Sequence, residues 1–295
     1  MKLNLHILKE DLIHWNFQGI LIDRPTERLC TYSKFCDKMP DSFQTEILYI
    51  LQAEVLSTDV TCNPRCSILC IGKPPEAWLN SACNFLYTES KISVFELMNC
   101  VNERFHYYQQ WEDSLQEALD LQLSPQELAQ RSLPVIQNTI YAQGAFYRVL
   151  CKCVPPLEEK IDFYKQYKKD YDTIPLGGIL NVEDINNLIS DAEYNRAMYV
   201  TEPTIYSGEF YGFRSLFYNI YVDNTFVARV VIDEVVNKFT DKDFALIQIF
   251  GSYLKKRLMN SEIYFFDRPR EMEQIFPESD QASASAGGKN HSVFG

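Results

Sequence analysis

The side chains best suited to chemistry in this 295-residue chain are its thiols, nine in all. Cys62, Cys66 and Cys70 recur at four-residue steps in "CNPRCSILC". Three thiolates can hold a thiophilic metal ion if their sulfur atoms converge. Pro64 places the first half of this stretch in a loop, whereas Cys70 falls inside an apolar strand. Residues four apart in an extended strand are roughly 13 Å apart, so convergence needs a fold-back. The expectation is therefore that these cysteines serve as small hydrophobes, with no metal and no cofactor bound. Cys151 and Cys153 in "VLCKCV" share one face of a strand, a poor geometry for an intrastrand disulfide, and read as buried thiols.

Other chemistry is hard to find. His6, His14, His106 and His291 stand in no HExxH-like pattern and beside no cysteine pair. There is no GxSxG elbow, P-loop or GxGxxG. Acidic pairs such as Glu112-Asp113 and Glu158-Glu159 read as solvated helix faces. No catalytic residue is assigned, and the chain is expected not to be an enzyme. What remains is "YSGEFYGFRSLFYNIYV", from Tyr206 to Val222, rich in rings and carrying one arginine. Aromatic walls with one charged anchor suit a planar or anionic ligand. Tyr206, Phe210, Tyr211, Phe213 and Arg214, with Tyr141 from a facing strand, are the candidate ligand-binding residues. The competing reading is core and dimer packing by the same rings.

The elements that would position these residues are legible in part. The length suggests more than one domain, and 46% hydrophobic with 14% aromatic residues is ample for sizeable cores. A net charge of −12 repels phosphate backbones, so direct nucleic-acid binding is not expected. No apolar run of about 18 residues occurs and the first residues do not read as a signal peptide, so neither a membrane span nor secretion is expected. Scattered, odd-numbered cysteines fit a reducing cytoplasm.

In residues 1–91, "GILID", "EILYILQAEVL" and "CSILCIG" read as strands and "PPEAWLNSAC" as a short helix, giving a small α/β domain. Four helix starts share one grammar: Ser93/Glu96, Ser124/Glu127, Asn181/Asp184 and Thr240/Asp243 pair a capping side chain with an acid three residues on. The first opens a long helix over 92–122. With Val94 at heptad position a, Leu97, Val101, Tyr108, Trp111, Leu115 and Ala118 fall at a or d, Arg104 being the exception, and Met98, Phe105 and Leu119 at e, Glu112 being the exception. The stripe is roughly 39 Å long at 1.5 Å per residue. Its 3.5-residue period expects a two-chain parallel coiled coil, hence a homodimer; packing along the chain's own domain is the alternative. Beyond it, "NTIYAQ", "FYRVLCKCV" and "RSLFYNIYVDNTFVARVVIDE" read as strands, the last a hairpin turning at Asp223-Asn224. A mostly polar helical stretch lies between, and "KFTDKDFALIQIFGSYLKKRL" is a closing helix. Residues 261–295 read as a flexible tail.

The segments "FELMNCVNERFHYYQQWEDSLQEAL" and "SPQELAQRSLPVIQNTIYAQGAFYRVL" resemble the sensor part of bacterial PucR/CdaR-like transcriptional regulators. The later "FYNIYVDNTFVARVVIDE" and "FTDKDFALIQIFGSYLKKRL" are similar to the final hairpin and closing helix of their GAF-like domain. The resemblance covers about residues 92–258 and rests on pattern and order. Ala228 departs from it, standing where that hairpin more often has glycine, and no helix-turn-helix reading head is expected after the closing helix. It implies an α+β protein with a GAF-like domain over 123–260 built on an antiparallel sheet, which binds small molecules between sheet and connecting loops. The implied function is cytoplasmic ligand sensing in transcription regulation, with a small-molecule effector and a full-length regulator as possible partners. A ligand-free dimerisation partner and a thiol-dependent GAF-fold enzyme are the alternatives.

Overall fold

A computed structural model of the chain describes residues 1–60, 62–155, 172–208 and 212–260. Its contacts gather Met1–Arg257 into one unit and Leu258–Gly295 into a second. Among the described residues are seven α-helices and two five-stranded sheets, one mixed and one antiparallel. The fold is α+β, as expected.

The first sheet has the order β1-β5-β4-β3-β2, from β1 (Gln18–Ile20), β2 (Tyr32–Phe35), β3 (Ile47–Gln52), β4 (Ser67–Ile71) and β5 (Asn84–Thr88). β2 to β5 run parallel and β1 runs antiparallel to β5. Strands of a parallel sheet are covered on both faces, which explains the near-continuous apolar runs of β3 and β4. Tyr49, Leu51, Ile68, Cys70 and Phe85 pack on one face with Phe43 and with Trp78 of α2 (Glu76–Leu79). Leu48, Ile50, Leu69 and Leu86, on the alternate positions, are buried on the other. Contacts with α1 (Leu5–Asp11) and α3 (Val94–Asp120) cover that side.

The long helix α3 begins where Ser93 accepts a hydrogen bond from the backbone of Glu96 at 3.1 Å. Leu97, Val101, Tyr108, Trp111, Leu115, Ala118 and Leu119 are its buried residues, which are positions of the expected a/d/e stripe. They are buried within a single chain, against α1, β2, β3 and α4 (Pro125–Ile136). Tyr108 donates to Asp11 of α1 at 2.8 Å, and Trp111 donates to Ser132 of α4 at 3.2 Å. The stripe is thus not the two-chain seam that its period suggested. A sheet surface and one antiparallel neighbour cover the same stripe as a second copy would, and heptad spacing alone does not distinguish them. A homodimer would have to use another face.

The second sheet has the order β7-β6-β10-β9-β8, all pairs antiparallel. Its strands are β6 (Thr139–Gly144), β7 (Val149–Cys153), β8 (Thr204–Tyr206), β9 (Ser215–Val222) and β10 (Thr225–Asp233). β9 and β10 turn at Asp223 and Asn224, whose φ angles of 49° and 62° are those of a primed hairpin turn. One face carries α5 (Val182–Ser190) and α6 (Ala192–Ala197), through Ile185, Leu188, Tyr194 and Ala197. α4 packs on β6 and β7, and Gly251 of α7 (Asp241–Met259) lies against the ring of Tyr218 on the other face.

Candidate functional site

The centre of the second sheet holds the least expected side chain of the fold. Arg229, midway along β10, is fully buried. Its register partners are Gln143 on β6 and Asn219 on β9, so three polar side chains cross the sheet in one row. The flanking row is apolar: Tyr141, Val231 and Phe217. Strand alternation puts both rows on the face covered by α5 and α6.

The row is only partly satisfied. Arg229 Nε donates to Asn219 Oδ1 at 2.7 Å, and Asn219 Nδ2 donates to the carbonyls of Ala197 and Val200, each at 2.7 Å. Gln143 Nε2 donates to the Tyr194 hydroxyl at 2.8 Å. The guanidinium carbon lies 4.5 Å from the ring centre of Tyr194 and 4.6 Å from that of Phe217. Both terminal nitrogens of Arg229, Nη1 and Nη2, are buried with no hydrogen-bond partner among the described residues. Burial lowers the pKa of this guanidinium, with the hydroxyls of Tyr194, Tyr147 and Tyr221 opposing the change.

An interior cation facing two rings gains on the order of 2 kcal/mol or more per favourable desolvated contact. Removing an ion from water still costs several kcal/mol. A planar carboxylate or phosphate at Nη1 and Nη2 would meet the fork of donors that the protein leaves open.

The surroundings are aromatic and partly strained. Tyr206 stacks on Phe217, ring centres 5.1 Å apart at 17°, and Tyr194 meets both edge-on. The Tyr206 hydroxyl donates to Asp191 Oδ2 at 2.7 Å. That bond, with the backbone N–H groups of Tyr194 and Glu193, holds the Asp191 carboxyl below its ordinary pKa. Asp191 thereby caps α6 and fixes Tyr194 over the arginine. Phe146 and Tyr147, in the β6–β7 connection, have φ angles of 61° and 59°. Two consecutive left-handed non-glycine residues cost roughly 1–2 kcal/mol each, and such strain collects at ligand clamps. Burial pushes the Tyr147 hydroxyl up to about 12.

Of the residues expected to bind ligand, Tyr141 and Tyr206 belong to this cluster. Phe210 and Tyr211 lie outside the described residues. Phe213 is half-buried and groups instead with Val154, Ile174 and Val235. Arg214, the expected anchor, is a surface side chain committed to Glu234: its Nε donates to Oε2 at 2.9 Å and its Nη2 to Oε1, beneath the ring of Phe239. The arginine that faces the rings is Arg229, and it was legible: "FVARVVI" sets one charge inside an apolar strand. Tyr194 and Asn219 carried no comparable signal, since only the packing of α6 brings them to the sheet.

The thiols divide as well. Burial pushes Cys153 up to about 11 and Cys151 up further, so both are protonated near neutral pH and poor nucleophiles. Cys70 is buried among apolar side chains in the first sheet. Cys62 and Cys66 are brought together with a cysteine that the spacing did not implicate, Cys83. No protein-family model matches the sequence, and no curated protein matches it significantly.

Proposed function

We propose that this chain is the sensing part of a cytoplasmic, non-enzymatic regulator of the PucR/CdaR-like kind. Its second sheet, a GAF-like domain, binds a small anionic molecule with a planar apolar portion. The observation that carries this reading is Arg229, fully buried between Tyr194 and Phe217, with Nη1 and Nη2 lacking a partner among the described residues. The anion would take the open guanidinium fork, and its planar part would lie among Tyr194, Tyr206, Phe217 and Tyr141. The central hairpin followed by α7, and the position of the rings between sheet and covering helices, support the GAF-like reading. The ligand changes output only by favouring one arrangement of the chain over another.

The test is a thermal-shift screen of mono- and dicarboxylates, purines and nucleotides on wild type and on Arg229→Met. At a concentration 100 times its Kd, a cognate anion adds about 2.7 kcal/mol of apparent stability. The wild type should show such a shift and Arg229→Met should lose it. Equal shifts in both proteins, or no shift with any anion, would reject the site.

A further inference from the structure

The first sheet contains a second site, independent of the arginine and built from thiols. The sulfur atoms of Cys62, Cys66 and Cys83 all lie within 4.8 Å of one another. The fold-back that the linear spacing lacked is a tight turn. Cys66 N–H donates to Asn63 O at 3.3 Å, Arg65 takes a left-handed φ of 67°, and Asn63 Nδ2 is tied to the carbonyl of Phe43 at 2.6 Å. Cys83 arrives from the entry to β5, where Asn84 N–H donates to Cys66 O at 2.9 Å and Arg65 N–H to Ala82 O at 3.2 Å. Backbone pairing between two segments thus fixes the three sulfur atoms against one another. Cys66 and Cys83 are buried, whereas Cys62 is only partly buried.

We propose that Cys62, Cys66 and Cys83 bind one thiophilic divalent cation, zinc, with an open fourth position on the Cys62 side. Zinc–sulfur bonds of about 2.3 Å in a tetrahedron set the sulfur atoms roughly 3.8 Å apart, so the observed triangle needs little closure. Binding exchanges thiol protons for the metal: each S–H that is still protonated releases H⁺ to solvent as its sulfur ligates. Ser81 Oγ, 3.0 Å from the Cys83 sulfur, supports it from outside the triangle. The ion would clip the loop before β4 to the start of β5. Cys70, third in the linear motif, takes no part.

The experiment uses the full chain, reduced and stripped of metal, titrated with zinc against a chromophoric chelator and with cobalt by absorbance. The expected result is one ion per chain, with thiolate-to-cobalt charge-transfer bands and four-coordinate d–d intensities. Cys62→Ala, at the partly buried position, should weaken binding by more than the 10–100-fold that changes outside the ligand shell produce. Cys70→Ala should bind like wild type. Circular dichroism of Cys62→Ala confirms that the variant folds. Lack of stoichiometric uptake by the reduced wild type would overturn the site. So would equal losses in the two variants, or cobalt spectra without sulfur charge transfer.

Discussion

Truncating Leu115 to alanine tests whether the stripe of α3 is complete within one chain. Leu115 is fully buried in α3, between turns of the helix that are tied to α4. The two helices cannot easily close the gap, because they are tied on both sides of it. Trp111 reaches Ser132 at 3.2 Å on one side, and Arg131 reaches Glu117 Oε2 at 2.6 Å on the other. Leu→Ala costs 2–5 kcal/mol depending on how far the site collapses, and these ties place the loss at about 3–4 kcal/mol. At about 2–4 °C per kcal/mol for a unit of this size, the melting midpoint should fall by roughly 6–16 °C. Urea denaturation of wild type and Leu115→Ala at 1 and 100 µM protein is the decisive assay. If the stripe is satisfied intramolecularly, the difference between the two proteins is the same at both concentrations. A two-chain seam would gain about 1.4 kcal/mol of apparent stability per tenfold rise in concentration. A wild-type midpoint that climbs with concentration, and a Leu115→Ala midpoint that does not, would refute the intramolecular account.

Two further outcomes follow from single contacts. Glu234 is held to about pKa 2, first by Arg214 and then by the backbone of Phe239 and by Lys238. Its folded pKa lies below the ordinary value of about 4.3, so its contribution is complete above that pH and is lost as pH falls toward 2. Glu234→Gln should flatten the acid dependence of unfolding between about pH 4.5 and 2, and an unchanged slope would remove this pair from the account. Gly251→Ala would set a Cβ 2.4 Å from the Tyr218 ring, so the ring or the helix must shift. A loss of about 1–3 kcal/mol in urea is expected despite alanine's better helix propensity, and the companion Tyr218→Leu should relieve it.

Much of the architecture was legible because local chemistry and tertiary structure agree. The four helix starts fall where the caps placed them: Ser124/Glu127 forms the full reciprocal box, and Asn181 and Thr240 pair with Asp184 and Asp243. The Asp223-Asn224 turn and the apolar runs of β3 and β4 were equally plain. β2 and β5 were not, since "YSKF" is an exposed edge and "NFLYT" follows the short loop after α2 without alternation. The site was harder, for a reason of distance along the chain. Arg214 lies next to its rings in sequence but turns to Glu234, whereas Arg229 meets Phe217 across a hairpin and Tyr194 through a helix. The thiol cluster likewise needed Cys83, seventeen positions from Cys66 and reached only by parallel strand pairing.

The central hairpin is a single layer with a different tenant on each side. Phe217 and Tyr218 are consecutive, yet the first ring lies against Arg229 and the second against Gly251 of the closing helix. Only one peptide group separates the aromatic nest from the glycine notch. A bulkier side chain on either face must therefore be accommodated by the same short stretch of strand, so the sheet here has little slack for substitution on both sides at once.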